Sequence, residues 1–265
     1  MADTLLDIVG VGRRFGGVTA VRDCSFRIEA GSVTGLIGPN GAGKTTLFNM
    51  VAGALPPSSG RIVFLGEDVT GLPDHRLFHK GIVRTFQIPR EFSRMTCLEN
   101  LMLVPPRQGG ENLLRAWLRF GAVRDEETGV RDRALEVLDF LSLDHLKDQL
   151  AAEISGGQKK LLELGRAMMT DAKLVLLDEP GAGVNRTLLA KIAEMIRRLN
   201  RERGYTFCII EHDMGFIAEL CDPVVCMAEG SVLVQGHMDQ VRADPRVLEA
   251  YLGHSGTEML DRGRT

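Results

Sequence analysis

A short glycine-rich stretch, residues 38–45, constrains this chain more than any other part of it. It reads Gly-Pro-Asn-Gly-Ala-Gly-Lys-Thr and matches the phosphate-binding pattern G-x-x-x-x-G-K-[ST]. The apolar run Val33–Ile37 comes before it and predicts a buried strand. The residues after it predict a helix, because apolar side chains recur at helical spacing at Leu47, Met50, Val51 and Ala54. A strand, a glycine loop and a helix are the context that this pattern requires, so we predict a triphosphate site.

Each residue type in the loop has a physical reason. Glycines at 41 and 43 let backbone N–H groups close round a phosphate, which a Cβ atom would obstruct. The N-terminus of the following helix adds unpaired donors and the positive end of a dipole. Lys44 supplies a mobile charge for the β- and γ-phosphates, and the Thr45 hydroxyl can bind Mg²⁺. The predicted nucleotide-binding residues of this segment are Gly38, Pro39, Asn40, Gly41, Ala42, Gly43, Lys44, Thr45 and Thr46.

Composition indicates an ordinary globular chain and argues against several classes of partner. A hydrophobic content of 44% and a charged content of 25% are typical of soluble domains. The net charge of −3 gives no reason to expect a nucleic acid partner. Apolar runs fall far short of the ~20 residues that a spanning helix needs, and we expect no signal peptide at the N-terminus. Five cysteines without a CxxC pair argue against a disulfide framework, so we expect a cytosolic chain.

Three patterns follow one another along the sequence. Short strands separated by turns predict a small antiparallel sheet near the N-terminus, with Arg13–Gly17 as one of the turns. From about residue 88 to 150, prolines and helical spacing predict an inserted helical lobe. From Leu161 onward, apolar strands alternate with amphipathic helices, which predicts a parallel sheet covered on both faces. The N-terminal strands are predicted at Leu5–Val9, Cys24–Ile28 and Arg61–Leu65.

Two carboxylates follow the apolar strand Leu174–Leu177. Ligands gather at the carboxyl ends of parallel strands, so Asp178 is predicted to hold Mg²⁺ through water. Glu179 is then placed to polarise the attacking water as a catalytic base. The alternative without chemistry is a pair of carboxylates that caps the turn before Pro180.

Polar side chains also follow two other predicted strands. His212 comes after the strand that ends at Ile210, where it can donate to a γ-phosphate oxygen or orient Glu179. The carbonyl oxygen of Gln87 can reach Mg²⁺ or the attacking water, and this residue begins the helical lobe. The predicted catalytic residues are therefore Glu179, His212, Lys44 and Gln87. The predicted metal ligands are Thr45, Gln87 and Asp178.

A second anion site is predicted at the head of the helix that contains Leu161. Ser155 has the character of an N-cap, and two glycines leave the following amides uncovered. One phosphate chain cannot easily use this site and the first loop of the same subunit, because a separate lobe lies between them. Two copies facing head to tail could each lend this turn to the other's nucleotide. The residues added to the nucleotide site are Ser155, Gly156, Gly157 and Gln158.

With these residues assembled, the chain resembles the ATP-binding subunits of ABC transporters over essentially its full length. Five motifs of that family stand in order: Walker A at 38–45, the Q-loop at Gln87, the signature at Ser155–Gln158, Walker B at Leu174–Glu179 and the switch histidine at His212. The resemblance implies an α/β fold. Its P-loop NTPase (RecA-like) core has a mainly parallel sheet, with a small N-terminal antiparallel β subdomain and an inserted α-helical subdomain. Phe15 matches the family's adenine-stacking aromatic, although its residue type alone also fits plain packing on the small sheet.

The resemblance also implies domain boundaries and partners. It places the core with the β subdomain at 1–87 and 158–240, the helical subdomain at 88–157 and a C-terminal helix and tail at 241–265. Two ATP molecules would be held in a homodimer or heterodimer with a second ATPase subunit. Integral membrane permeases would bind at the cytoplasmic face of the inner membrane, in a groove at about residues 88–98. Phe92 and Met95 are the candidates for contact there, and ordinary packing within the lobe is the alternative for both. A periplasmic or extracellular solute-binding protein would take part indirectly.

Finer features resemble the branched-chain (hydrophobic) amino acid uptake subfamily. They are Val83–Gln87, Glu211–Met214 and the ending Tyr251–Gly253. Importers of urea or amides share most of these features and stay an alternative. A soluble ABC-type ATPase for DNA repair or translation usually carries a long coiled coil or two cassettes, and a small-molecule kinase leaves the signature at Ser155 unexplained. The loop Gly181–Asn185 departs from the usual Ser-Ala-Leu-Asp-like sequence, so Asn185 receives no catalytic role.

Overall fold

The computed structural model describes residues 3–85, 91–105 and 120–252. The chain divides into two compact units, one formed by Met1–Arg84 with Lys173–Thr265 and the other by Thr85–Ala172. The subdomain boundaries at 88 and 157 stay predictions. None of the helices in the described ranges combines the length and the apolar composition needed to cross a membrane.

The first unit contains a four-stranded antiparallel sheet in the order β2-β1-β4-β5. Its strands are β1 (Thr4–Phe15), β2 (Val18–Glu29), β4 (Ser59–Phe64) and β5 (Glu67–Asp68). This confirms the predicted antiparallel sheet, but the predicted turn at Arg13–Gly17 is wrong in its extent. Strand β1 continues through Phe15, which pairs with Val18, and only Gly16 and Gly17 form the turn. Pairing with β2 overrides the turn-like local sequence.

The second sheet of this unit has six strands in the order β10-β9-β3-β8-β7-β6. They are β3 (Val33–Ile37), β6 (Ile82–Arg84), β7 (Leu174–Asp178), β8 (Thr206–Ile210), β9 (Val224–Ala228) and β10 (Ser231–Gly236). Strand β10 is antiparallel to β9, whereas the pairs β9–β3, β3–β8, β8–β7 and β7–β6 are parallel. Every residue of β3, β7, β8 and β9 is buried, as expected for parallel strands covered on both faces.

Eight α-helices lie in the described ranges before residue 245, and the fourth of them is described only from Phe120 onward. They are α1 (Lys44–Val51), α2 (Asp74–Lys80), α3 (Cys97–Met102), α4 (Phe120–Phe140), α5 (Gly156–Met168), α6 (Arg186–Arg203), α7 (Met214–Leu220) and α8 (Met238–Ala243). Residues 245–252 are also helical. Helix α6 shows how sequence sets the limits of a helix. The Asn185 side chain accepts from the Leu188 N–H at its start, and Gly204, in the left-handed conformation, ends it.

The second unit is helical, as the spacing of its apolar residues predicts. Helices α3, α4 and α5 pack on one another. They approach closely at Gly165, where a Cβ atom would lie 2.8 Å from the Leu141 Cδ1 atom. Asn100, fully buried on α3, accepts from the N–H of Phe92 and donates to the carbonyl oxygens of Phe92 and Met95. Residues 106–119 of the predicted helical lobe lie outside the described residues.

Candidate functional site

The phosphate-binding loop runs from the carboxyl end of β3 into α1. Gly43 is the N-cap residue of α1 with a φ of 93°, and a Cβ atom there would lie 2.5 Å from the Ala20 carbonyl oxygen. Gly41 has a φ of 77° with open space round it, so backbone conformation alone favours glycine there. No side chain caps α1, which leaves the N–H groups of its first turn for an anion.

Lys44 is held within the loop. Its Nζ atom donates to the carbonyl oxygens of Gly38 at 2.7 Å and Pro39 at 2.9 Å. Burial lowers the pKa of Lys44, while the carboxylates of Glu179 and Asp178 act in the opposite direction. The loop therefore keeps a buried cation whose hydrogen bonds are made to its own backbone.

A cavity of about 210 Å³ opens over this loop. It is smaller than the roughly 300–1,000 Å³ of typical ligand pockets, which suits the phosphates rather than a whole nucleotide. Phe15 does not line it and is 46% exposed, with the Arg13 guanidinium carbon 4.9 Å from its ring centroid. Base stacking by Phe15 stays a prediction. The lining residues are Ala20, Asn40, Gly41, Ala42, Gly43, Lys44, Thr45, Thr46, Glu179 and His212.

The carboxyl ends of β7 and β8 bring the predicted catalytic pair together. Asp178 is the last residue of β7 and is 5% exposed. Glu179 follows with a φ of 50°, a backbone conformation that is costly for a residue with a Cβ atom and is often found at functional sites. Its Oε1 atom lies 2.9 Å from Nε2 of His212, the second residue after β8. The structure therefore places Glu179 and His212 in direct contact beside the loop.

Sequence reasoning assigned no role to Glu211, whose carboxylate contacts the backbone near both of these residues. Its Oε1 atom accepts from the Gly181 N–H, and its Oε2 atom accepts from the His212 N–H at 3.0 Å. Glu211 is 5% exposed. It therefore joins the segment that follows Glu179 to the segment that carries His212. The sequence feature that could have indicated Glu211 is its position directly after the apolar strand predicted at Phe207–Ile210.

Replacing Glu211 by glutamine is expected to lower the melting temperature by about 2–12 °C. The amide nitrogen of glutamine would face one of the two backbone N–H donors, and a buried unsatisfied donor costs about 1–3 kcal/mol. Differential scanning calorimetry measures the change. The control is Glu219→Gln, because the Glu219 side chain is 68% exposed. A melting temperature equal to that of the wild type would contradict this role for Glu211.

The C-terminal segment also reaches the loop. The hydroxyl oxygen of Tyr251 is buried, and it interacts with the backbone of Gly38 and with Cys226. Burial raises the pKa of Tyr251, and it also raises the pKa of Cys226 to about 11. Gly38 itself has no room for a side chain, because a Cβ atom would lie 2.1 Å from the Met227 carbonyl oxygen.

In the helical unit, Ser155 is the N-cap of α5, as predicted. Its Oγ atom accepts from the Gln158 N–H at 3.3 Å, and Gln158 Oε1 accepts from the Ser155 N–H at 2.8 Å. A Cβ atom at Gly156 would meet nothing within 4 Å, so this turn is open to a ligand. Gln87 lies outside the described residues. Within the residues that are described, no three His, Cys, Asp or Glu side chains form a cluster suited to a metal ion.

Comparison with known proteins decides the family. Residues 21–182 match the family described as ABC transporter, and residues 231–257 match the one described as branched-chain amino acid ATP-binding cassette transporter. The chain belongs to the ATP-binding subunits of ABC transporters. This cassette is therefore an ATPase whose activity is coupled to transport, which confirms the predicted fold, family and enzyme class.

Relatives agree over nearly the whole length of the cassette. A probable branched-chain amino acid transport ATP-binding protein, LivG, of Archaeoglobus fulgidus is 40% identical over 96% of this chain and 98% of its own length. The high-affinity branched-chain amino acid transport ATP-binding protein BraF of Pseudomonas aeruginosa is 37% identical over 96% and 100%. A nucleotide-free ATP-binding cassette from an ABC transporter superposes with a TM-score of 0.80 and 38% identity, over 94% of this chain and 98% of that one.

Proposed function

We propose that this cassette binds MgATP in a site shared by two subunits and hydrolyses it to drive the import of branched-chain or other hydrophobic amino acids. The observation that supports the chemistry is the contact between Glu179 and His212 at the edge of the cavity. Glu179 would accept a proton from the attacking water, and His212 would hold that carboxylate in place. Lys44 and the loop amides would bind the phosphate oxygens, where negative charge accumulates during transfer.

The residues present suit Mg²⁺. The exposed Thr45 hydroxyl at the start of α1 and the Asp178 carboxylate are oxygen donors, the type that Mg²⁺ prefers. When bound, the ion neutralises charge on the β- and γ-phosphates. Gln87 is proposed as a further ligand from the family resemblance alone. Asp178, one of whose oxygens is already engaged by Arg84, would act through the other oxygen.

The signature turn supplies the argument for a shared site. The open N-terminus of α5 at Ser155 and Gly156 is a second place where backbone donors can meet a phosphate. We propose that it contacts the nucleotide bound to the loop of a second subunit, which is either another copy of this chain or a second cassette. ATP would then hold the two subunits together, and hydrolysis would release them.

Membrane permease subunits are the proposed recipients of this motion, at the cytoplasmic face of the membrane. Phe92 is 50% exposed, and the Arg166 guanidinium carbon lies 5.4 Å from its ring centroid. Asn100 holds the backbone of this segment, so Phe92 and Met95 are presented on a supported loop. An exposed aromatic beside an arginine suits a protein interface. The solute class rests on the names of the relatives, and urea or amide importers are the alternative.

Reconstitution with its permeases tests the proposed function. The cassette is combined in proteoliposomes with the membrane subunits and the solute-binding protein from the same operon. We expect leucine, isoleucine or valine to stimulate ATP hydrolysis and to enter the vesicles only when ATP is present. Stimulation by urea or short amides but not by these amino acids would replace the proposed solute class. ATP hydrolysis that no permease or solute alters would contradict the transport role.

A further inference from the structure

A shielded ion pair joins the strand that ends in Asp178 to the helix that follows the phosphate-binding loop. Arg84, the last residue of β6, donates from Nη2 to the Asp178 Oδ2 atom at 2.8 Å. Its Nη1 atom donates to the Oδ1 atom of Asn49, which lies on α1. The side chains of Arg84 and Asp178 are 17% and 5% exposed. Because water is largely excluded, salt screens this pair much less than a surface pair.

Asp178 and Asn49 belong to elements that carry residues of the nucleotide site, and Arg84 lies on the neighbouring strand. Strand β7 ends at Asp178, helix α1 begins with Lys44 and Thr45, and β6 pairs in parallel with β7. The terminal torsion of an aspartate is broad, so packing of the strand alone does not fix the direction of its two oxygens. The guanidinium is a rigid planar donor, and its second bond to Asn49 anchors it to α1. Arg84 can therefore set the orientation of the carboxylate relative to the loop.

The other nearby cation is less suited to this task. Lys44 interacts electrostatically with Asp178 and Glu179, and its Nζ atom is directed to the carbonyl oxygens of Gly38 and Pro39. A phosphate-binding lysine must also be able to move its charge towards a ligand, whereas Arg84 is held by two side chains from different elements. The two cations have separate positions and separate partners.

We infer that Arg84 is a positioning residue for Asp178, which holds the Oδ2 atom and leaves the Oδ1 atom for the water shell of bound Mg²⁺. This inference rests on the proposed function, in which Asp178 acts towards the metal ion. It makes Arg84 part of the nucleotide site although the cavity lining does not include it. Replacing a residue that orients a metal's ligand typically lowers the affinity for the metal about 10- to 100-fold.

The experiment separates metal-dependent binding from folding. Calorimetric titration measures the affinity for a non-hydrolysable ATP analogue, with Mg²⁺ and with excess EDTA, and thermal unfolding is followed without nucleotide. We expect Arg84→Gln to reduce the gain in affinity that Mg²⁺ confers by about 10-fold or more, while the affinity in EDTA changes less than about twofold. Arg84→Lys keeps the charge but loses the planar pair of donors. Its gain in affinity from Mg²⁺ is expected to lie between those of the wild type and Arg84→Gln. The control is Arg197→Gln, which removes a half-buried arginine that is paired with Glu194 and Glu219 instead of Asp178.

An Asp178→Asn background shows whether Arg84 acts through Asp178. We expect this variant to lose the gain from Mg²⁺, and adding Arg84→Gln to it should change nothing further. Two results would overturn the inference and leave the proposed function intact. In the first, Arg84→Gln weakens binding of the ATP analogue equally with and without Mg²⁺. In the second, Arg84→Gln causes the same loss of affinity in the Asp178→Asn background as in the wild type. A gain from Mg²⁺ that Asp178→Asn retains would instead contradict the proposed role of Asp178 itself.

Asn49→Ala keeps the test valid if Arg84→Gln does not fold. This variant preserves the ion pair between Arg84 and Asp178 but removes the hydrogen bond from Arg84 Nη1 to Asn49 Oδ1 on α1. Because the ion pair remains, we expect the gain from Mg²⁺ to fall by less than in Arg84→Gln, about 2- to 10-fold. An unchanged gain in both Asn49→Ala and Arg84→Lys would overturn the inference.

Discussion

Glu179→Gln is expected to reduce ATP turnover at least ~100-fold while ATP still binds, because a positioned base contributes about 10²–10⁴ in rate. A 100-fold loss corresponds to about 2.7 kcal/mol in the activation barrier. Glutamine keeps the size of the side chain and can still contact His212, which lies 2.9 Å from the Glu179 carboxylate in the native protein. Phosphate release measures turnover, and nucleotide titration measures binding. The ATP-bound state should accumulate.

Glu229→Gln is a matched control for this substitution. Glu229 also has a left-handed backbone, with a φ of 49°, but it does not line the cavity. If both variants lose activity to the same degree, the effect comes from backbone conformation rather than chemistry. Near-normal turnover in Glu179→Gln would remove Glu179 from the role of base.

Lys44→Met is expected to weaken ATP binding about 10- to 100-fold. A hydrogen bond to a charged group is worth about 1.5–3 kcal/mol, and each 1.4 kcal/mol is a tenfold change in affinity. Without nucleotide, the loss of two hydrogen bonds to Gly38 and Pro39 is opposed by removal of a buried charge. The melting temperature should therefore change by only a few degrees, about 2–4 °C for each kcal/mol of difference.

The lowered pKa of Lys44 fixes the sign of its effect on folding. The unfolded chain binds this proton more tightly than the folded protein, so the charge on Lys44 opposes folding at neutral pH. This cost declines as the pH rises through the lowered pKa towards the ordinary value of 10.5. The control is Lys191→Met on the exposed face of α6. ATP affinity that is unchanged in Lys44→Met would contradict the proposed phosphate contact.

Local sequence was sufficient to predict the parts of the fold whose limits are set by neighbouring residues. The apolar run Val33–Ile37 is β3 without any shift, and Ser155 is the N-cap of α5. The meeting of Glu179 with His212 also followed from a local rule, because carboxyl ends of parallel strands share one edge of a sheet. The extent of β1 could not be predicted this way. Its pairing with two other strands outweighs the turn-like residues Arg13 and Arg14.

The remaining contacts of the site depend on tertiary packing. Arg84 meets Asp178 across a long stretch of sequence, and nothing in the residues near Arg84 indicates that β6 lies beside β7. Glu211 binds the Gly181 N–H only because β7 and β8 are neighbours. Tyr251 was noted as a subfamily feature, but its approach to Gly38 required the position of the C-terminal helix. Periodicity identifies faces and strand ends, whereas it does not specify which strands are adjacent.

Site-directed crosslinking tests most directly whether two subunits share each nucleotide. In the Glu179→Gln background, one tagged chain carries Ser155→Cys and a differently tagged chain carries Asn40→Cys. The two tagged chains are assembled together with the permeases. If the transporter uses a second, different cassette, that cassette takes the place of one of the tagged chains and carries the corresponding cysteine. We expect a short thiol crosslinker to join the two positions in different chains only when ATP is present. A separate sample contains one chain that carries both cysteines. A link between positions 40 and 155 within that chain, with no ATP-dependent link between chains in the first sample, would contradict the shared site.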